Sequence, residues 1–261
     1  MPRYSSSVDG AELFYRYYAP EGRTPALTTQ LPQPAKSLAL VLLHQWPLSS
    51  RMYDSILLSL CETHGYRVIA PDRRGFGKSD WAGQQPTVPI SYKELGQDLS
   101  DLLERIQPGP FVFVATSMST GEALMAYLNS SYVQENCQGM MWISTCLPLK
   151  SGSVTEKQVA FFENIFFEAD PFAVERCLQI YSREDLSEGI KRFGQMFHKP
   201  FLLIHGGGDK AVPAEVSAEL VQKSVPGAKL TIYDEGGHVL VLAYSDRLLD
   251  DIVKFAEDIA G

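Results

Sequence analysis

Several stretches of the chain are mostly apolar without alternating polar residues, and segments of helical length and periodicity separate them. These apolar runs lie within residues 38–43, 66–70, 112–115 and 140–143. A strand that is buried on both faces of a parallel sheet has this continuous pattern. Because such strands alternate with helix-length segments, the sequence predicts successive βαβ units. We therefore expect an α/β fold with a mostly parallel central sheet flanked by helices.

The N-terminal segment has a different pattern. Residues 3–8 and 12–18 alternate between apolar and polar positions around the sequence Val8-Asp9-Gly10-Ala11. Alternation on both sides of an Asp-Gly pair is typical of a hairpin. We expect two antiparallel strands here, at the edge of the sheet.

The strand pattern stops between residues 148 and 198, where only helical periodicity is found. Phe162 and Phe166 fall on one face of the first predicted helix, and Asp170-Pro171 predicts the start of the second. We interpret residues 148–198 as a short helical lid inserted into a core domain made of residues 1–147 and 199–261. Phe162 and Phe166 then either pack in the core or line an apolar substrate pocket.

Composition narrows the function. The chain has 261 residues and a formal net charge of −8, which argues against a nucleic acid or an anionic membrane as partner. Residues 38–43 form the longest apolar run, too short to cross a membrane, and the first residues do not resemble a signal peptide. The four cysteines lack the spacing of a metal site, so we expect reduced thiols and a cytoplasmic location. The sequence leaves the oligomeric state open.

The most informative stretch is the run Val112-Phe113-Val114-Ala115-Thr116-Ser117-Met118-Ser119, which passes from a strand pattern into a helical one. A serine at a sharp strand-to-helix turn has the geometry of a nucleophile elbow. Ala115 and Ser119 stand where glycines are usual. Two interpretations of this stretch alone are open: Ser117 is a catalytic nucleophile, or it only caps the helix.

Two further residues favour the first interpretation. Asp209 and His238, like Ser117, directly follow predicted strands, and the carboxyl ends of parallel strands share one edge of the sheet. A serine hydroxyl needs a base, for which histidine is suited, and the histidine needs a carboxylate to orient it. The order serine, aspartate, histidine is that of an α/β-hydrolase triad.

Other residues fit these roles less well. His44 and His205 also follow strands but can be structural, and Asp234 and Glu235 are too close to His238 in sequence to orient it easily. For the oxyanion, we expect one donor from the backbone N–H of Met118 and a second from Trp46. Trp46 can alternatively be only a wall of the pocket.

Longer motifs now show a family resemblance. Residues 41–48 resemble the His-Gly-Trp-Pro loop of the α/β-hydrolase fold family, and residues 68–79 resemble its Asp-x-Arg-Gly-x-Gly-x-Ser turn. Within this family, the chain is most similar to the esterases also called cofactor-free haloperoxidases or perhydrolases. Their elbow resembles Ser117, Gly121 and Glu122, and their turn resembles Arg73-Arg74-Gly75. The resemblance implies acyl transfer to water or peroxide by Ser117, Asp209 and His238, without metal, haem or other cofactor. Gln45 replaces a family glycine and is expected beside the pocket.

Three functions compete at this point. The leading hypothesis is a serine hydrolase that cleaves an ester or thioester of a largely apolar small molecule through an acyl-enzyme. The same fold also hosts lyases and cyclases that use the histidine as a base. Ser117-Met118-Ser119-Thr120 is also similar to the elbow of plant karrikin and strigolactone receptors, which bind a small ligand. The turn Arg73-Arg74-Gly75-Phe76-Gly77 and the short lid fit the receptor less well.

Overall fold

The computed structural model describes residues 2–20, 36–83, 89–147 and 170–261. Within these residues, eight strands form one sheet in the order β1-β2-β4-β3-β5-β6-β7-β8. The strands are β1 (Arg3–Ser5), β2 (Glu12–Tyr18), β3 (Ala39–Leu43), β4 (Arg67–Pro71), β5 (Phe111–Thr116), β6 (Cys137–Ile143), β7 (Phe201–Gly206) and β8 (Lys229–Tyr233). The β1–β2 and β2–β4 pairs are antiparallel, and all the other pairs are parallel. The predicted α/β fold with a mostly parallel sheet is confirmed.

Helices connect the parallel strands, and two more follow the last strand. They are α1 (Asp54–Leu58), α2 (Tyr92–Ile106), α3 (Ser119–Asn129), α4 (Ser131–Asn136), α5 (Pro171–Arg183), α6 (Ser187–Met196), α7 (Ala218–Ser224), α8 (Leu240–Ala243) and α9 (Ser245–Ala260). A 3₁₀ turn (Ser50–Tyr53) and a π turn (Ser59–Thr63) flank α1, and another 3₁₀ turn (Ala214–Val216) precedes α7. No helix in the described part of the chain is long and apolar enough to cross a membrane.

The central strands are mostly apolar because helices cover both faces of the sheet there. Val41, Phe113 and Trp142 point to one face, where they pack with residues of α2, α3 and α6. Their neighbours Leu42 and Val114 point to the other face, where they pack with residues of α1 and α9. Every residue of β3 and β5 is buried, which explains the continuous apolar runs in the sequence.

Several boundaries differ from the sequence predictions. The helical segment between β3 and β4 changes its hydrogen-bond pattern twice, and the one between β7 and β8 is interrupted at Ser217, which has a non-helical backbone. Helix α4 was not predicted, although Ser130 caps it by accepting a hydrogen bond from the Val133 N–H. Local changes in backbone hydrogen bonding divide the first two stretches and a serine cap begins α4, and apolar periodicity reports neither.

Only part of the expected lid lies within the described residues. Residues 148–169, including Phe162 and Phe166, fall outside them. Helix α5 begins at Pro171 with Asp170 as its N-cap, as predicted. Helix α6 packs against the sheet, and the ring of Phe193 stacks on Trp142 of β6 with 5.7 Å between ring centroids. The division into core and lid stays a prediction.

Candidate active site

Ser117 lies at the sharp turn between β5 and α3. Its backbone is left-handed, with φ of 58°, a conformation that costs a residue other than glycine about 1–3 kcal/mol. Its N–H donates to the Ile143 carbonyl of β6 at 2.8 Å, and two groups of Thr120 donate to its carbonyl. The turn is held from both sides, and the Ser117 hydroxyl projects at the carboxyl edge of the sheet.

Ser119 shows how this elbow works without the usual glycine. Its hydroxyl lies 2.9 Å from the carbonyl oxygens of Leu43 and Thr116 and accepts a hydrogen bond from the Thr116 N–H at 2.9 Å. Tyr53 also donates to the Leu43 carbonyl, and its hydroxyl lies 2.8 Å from that of Thr116. The hydroxyls at positions 116 and 119 therefore tie the elbow to the end of β3.

The structure brings Ser117, His238 and Asp209 together at this edge. Ser117 Oγ lies 2.9 Å from His238 Nε2, and His238 Nδ1 lies 2.7 Å from Asp209 Oδ2. All three are at least 95% buried. Because the carboxylate can only accept, His238 Nδ1 carries the proton that it donates, and the lone pair of Nε2 faces the serine.

Four N–H groups surround the Asp209 carboxylate. The backbone N–H groups of Ala211 and Val212 donate to Oδ1 at 3.0 and 2.9 Å. His205 Nε2 lies 3.3 Å from Oδ2, beside the contact with His238. Burial acts to raise the pKa of this carboxyl, but the hydrogen bonds from His205, His238 and the backbone outweigh it and hold the pKa well below its usual range.

Sequence analysis did not identify the contact of His205 with this cluster. We expected His205 to follow a strand, but it lies within β7. Its Nε2 lies 2.8 Å from the Val212 carbonyl, which can only accept, so this nitrogen carries the proton. The one sequence signal for this contact is that His205 stands four residues before Asp209, at the end of the strand that Asp209 follows.

Trp46 and Met118, the residues expected to donate to the oxyanion, both lie beside Ser117. A cavity at Ser117 is lined, among the described residues, by Trp46, Met118, Cys146, Cys177, Leu178 and Tyr181. Met118 immediately precedes α3, and a helix N-terminus favours negative charge. The roles of Trp46 and Met118 as donors stay predictions.

The pocket assignments remain open. Gln45 is 1% exposed and its N–H donates to Met52 Sδ at 3.3 Å, and it is not among the described residues that line the cavity. Its assignment to the pocket stays a prediction, and Phe162 and Phe166 lie outside the described residues.

Arg73 links the loop that carries Trp46 to the helix that follows Ser117. Its backbone N–H donates to His44 Nε2 at 2.8 Å, and its Nη2 donates to the His44 carbonyl at 3.1 Å. Its Nε pairs with the carboxylate of Glu122 in α3. Burial, together with the Arg73 charge, lowers the pKa of His44 to about 4, so His44 is neutral near pH 7.

A metal centre is not evident in the part of the chain that the structure describes. There, no three or more His, Cys, Asp or Glu side chains are grouped closely enough to hold an ion.

Comparison with known proteins places the chain in a family. The model of the α/β hydrolase fold matches residues 39–184. The chain is 26% identical to a non-heme chloroperoxidase of Kitasatospora aureofaciens, over 92% of this chain and 93% of the relative. It is 22% identical to a bifunctional esterase/perhydrolase of Acinetobacter calcoaceticus, over 97% of this chain and 98% of the relative.

Solved structures agree on the fold. An esterase from Exiguobacterium antarcticum matches with a TM-score of 0.76 at 20% identity, covering 98% of this chain and 100% of that one. A bromoperoxidase from Bacillus anthracis matches with a TM-score of 0.75 at 22% identity and the same coverage. The chain belongs to the α/β hydrolase fold family, near the haloperoxidase-type esterases, and is an enzyme of the hydrolase type.

Proposed function

We propose that the protein is a serine hydrolase that cleaves an ester or thioester of a largely apolar small molecule. The observation that carries this proposal is the continuous contact from Ser117 Oγ through His238 to Asp209, at 2.9 and 2.7 Å. The left-handed backbone of Ser117 supports it, because strain of this kind persists where the surrounding structure enforces it and is common at functional sites.

The reaction follows from these contacts. His238 Nε2 takes the proton of the Ser117 hydroxyl as its oxygen attacks the scissile carbonyl carbon. The N–H groups of Met118 and Trp46 stabilise the oxyanion of the tetrahedral intermediate. When the intermediate collapses, the C–O or C–S bond breaks, His238 protonates the departing alcohol or thiol, and an acyl-Ser117 ester remains.

Water completes the cycle by the same route. His238 takes a proton from the water that attacks the acyl carbon and returns one proton to Ser117 Oγ as the acid leaves. Asp209 stays ionised and stabilises the imidazolium formed in each half-reaction. Peroxide in place of water yields a peracid, a side activity suggested by the esterase/perhydrolase relative.

The cavity supports an apolar substrate. Trp46, Met118, Leu178 and two cysteines make up most of its described lining. Burial raises the pKa of the Cys146 and Cys177 thiols to about 12, so both are neutral near pH 7 and behave as small apolar side chains.

Hydrolysis of a panel of chromogenic esters tests the proposal. Ser117→Ala is expected to lower kcat by about 10³- to 10⁶-fold. Ser144→Ala is the matched control, since Ser144 also ends a central strand, is buried and has a left-handed backbone with φ of 46°. It is expected to keep most of the activity.

The same assay separates the competing functions. Equal activities of wild type and Ser117→Ala would overturn the proposed mechanism. A ligand that raises the melting temperature without turnover would instead support a receptor. Conversion of a non-ester substrate without a serine-bound intermediate would support a lyase or cyclase.

A further inference from the structure

The backbone carbonyl of Leu43, the last residue of β3, is contacted by the hydroxyls of two buried side chains. The Ser119 hydroxyl lies 2.9 Å from this carbonyl oxygen, and the Tyr53 hydroxyl lies 2.8 Å from it. Leu43 is 2% exposed, and Ser119 and Tyr53 are fully buried. Two hydroxyls from different parts of the chain therefore meet at one carbonyl, away from water.

Ser119 reaches this carbonyl from the elbow. Its hydroxyl also accepts from the Thr116 N–H at 2.9 Å and lies 2.9 Å from the Thr116 carbonyl. Because Thr116 ends β5 and Ser119 begins α3, one side chain joins both sides of the turn to the neighbouring strand. The left-handed backbone of Ser117, with φ of 58°, persists only where its surroundings hold it. Glycine, the usual residue at position 119, has no hydroxyl that could do this.

Tyr53 reaches the same carbonyl from the far end of the loop that carries Trp46. This loop leaves β3 after Leu43, and Tyr53 ends the 3₁₀ turn that follows it. The bond from the Tyr53 hydroxyl to the Leu43 carbonyl therefore joins two ends of the loop that are ten positions apart. Burial raises the pKa of the Tyr53 hydroxyl, so it stays protonated and donates. The Thr116 hydroxyl then supplies the proton in its 2.8 Å contact with Tyr53.

The contacts at Leu43 link the two segments that carry the expected oxyanion donors. Met118 belongs to the elbow and Trp46 to the loop after β3, and both line the cavity at Ser117. Two donors stabilise an oxyanion only if both lie at hydrogen-bond distance from the position that its oxygen will occupy. Since the two segments are far apart in the chain, their spacing depends on contacts between them.

We propose that Ser119 and Tyr53 are positioning residues that hold the elbow and the loop of Trp46 at the spacing that the oxyanion requires. Neither is among the described residues that line the cavity, so both act through the Leu43 carbonyl. Their contribution is to the transition state, in which the oxyanion forms, and hardly to substrate binding. This positioning role rests on the proposed hydrolase function.

Removal of each hydroxyl tests the role. Tyr53→Phe and Ser119→Ala are each expected to lower kcat/KM for a p-nitrophenyl ester about tenfold, because displaced donors stabilise the oxyanion less. Tyr4→Phe and Ser100→Ala are the matched controls. Each removes a buried hydroxyl that donates to a backbone carbonyl of α2, at 2.9 and 3.0 Å, and each should keep kcat/KM within about twofold of wild type.

A transition-state analogue separates positioning from a loss of folded protein. When a trifluoromethyl ketone binds, Ser117 Oγ bonds to its carbonyl carbon, His238 Nε2 takes the serine proton, and the ketone oxygen becomes an oxyanion. The inhibition constant does not depend on the fraction of molecules that is folded. In Tyr53→Phe and Ser119→Ala it should rise about tenfold, in parallel with the loss of kcat/KM. The constant of an alcohol with the same chain, which forms no oxyanion, should change less than about twofold.

The inhibition constants also determine what would refute the role. An unchanged constant for the ketone in Tyr53→Phe or Ser119→Ala, or an equal rise for the ketone and the alcohol, would overturn it. An equal rise for the ketone in the two control variants would do the same. Tyr53→Phe keeps the buried ring, so the test is decisive even if Ser119→Ala does not fold.

The double variant Tyr53→Phe/Ser119→Ala tests whether both hydroxyls act through one carbonyl. It should lose less kcat/KM than the product of the two single losses, and losses that multiply would contradict a shared role. A wild type that hydrolyses no ester, or an equally active Ser117→Ala, would refute the proposed function instead. The two failures are therefore distinguishable.

Discussion

Arg73 and Arg74 are adjacent in sequence and both are buried, yet they bind different carboxylates. Arg74 pairs with Asp98 through Nε and Nη2, at 2.6 and 2.8 Å, and with Asp9 through Nη1 at 3.0 Å. Arg73 pairs with Glu122 and donates to the carbonyl of His44. Arg74 joins the N-terminal hairpin to α2, while Arg73 joins the two segments expected to stabilise the oxyanion.

The two arginines also differ in how many of their guanidinium nitrogens have a hydrogen-bond partner. Every nitrogen of the Arg74 guanidinium has a partner, whereas Nη1 of Arg73 is buried without one among the described residues. A fully satisfied buried ion network stabilises one arrangement of the chain. A network that is left incomplete beside a candidate active site is better explained by function. We therefore expect Arg74 to determine stability and Arg73 to determine activity.

Replacement of Arg74 should have the largest effect. Arg74→Met leaves the carboxylates of Asp9 and Asp98 buried without their cation, which is expected to lower the free energy of unfolding by about 3–5 kcal/mol. Urea denaturation measures this loss. The activity of the molecules that remain folded should match wild type, and a large decrease in their kcat would contradict the assignment of Arg74 to the fold alone.

The histidine that Arg73 contacts should make stability depend on pH. The pKa of His44 is about 4 in the native state because of burial and the Arg73 charge, against an ordinary value of 6.5. Between these pH values the unfolded chain binds the additional proton. The stabilisation by neutral His44 is therefore complete above pH 6.5 and is lost as the pH falls to about 4, a difference of about 3 kcal/mol.

His44→Gln tests this dependence, since its amide oxygen can accept from the Arg73 N–H and does not titrate. The variant should lose about 3 kcal/mol less stability than wild type between pH 6.5 and 4. Urea denaturation across this range measures the difference. Identical pH profiles would mean that His44 does not take up its proton in this window.

Arg73→Lys should lower activity more than stability. The ammonium can keep the pair with Glu122, but it lacks the fork that also reaches the His44 carbonyl. Because that contact positions the loop of Trp46, we expect kcat to fall about tenfold with little change in KM. Arg74→Lys is the matched control and should leave kcat unchanged. Equal kcat losses in both variants would remove the distinction between the two arginines.

Glu122→Gln should have the smallest effect. The amide keeps an acceptor for Arg73 Nε but loses the negative charge, which weakens the pair although the guanidinium donor stays ionised. We expect kcat/KM to fall about fivefold, measured with a chromogenic ester. Asp98→Asn makes the same kind of change beside Arg74 and should lower only the melting temperature. A larger kcat/KM loss from Asp98→Asn than from Glu122→Gln would reverse the comparison.

The sequence predicted the sheet and the strand-end residues because both leave local signals. Continuous apolar runs report burial on both faces, and Ser117 and Asp209 lie within a few residues of such runs. The bounds of the short helical turns and of α4 were missed because capping and local hydrogen bonding set them. Whether residues 148–198 form a lid is a separate prediction that these signals do not decide.

The contacts around the candidate site could not be predicted because they join distant segments. His205 and Asp209 are only four positions apart, but Arg73 and Glu122 are 49 positions apart. The position of Tyr92 over Gly121 depends on how α2 crosses α3. Helix packing of this kind is set by the whole domain, so sequence spacing does not reveal it.

Labelling with a fluorophosphonate tests the central claim most directly. The probe forms a covalent bond with an activated serine, and mass spectrometry of the digested protein identifies the modified residue. The account predicts one label, on Ser117, with loss of esterase activity in proportion to labelling, no label in Ser117→Ala, and slower labelling in Asp209→Asn. Label on another residue, or an unlabelled Ser117 in a protein that still hydrolyses esters, would contradict it.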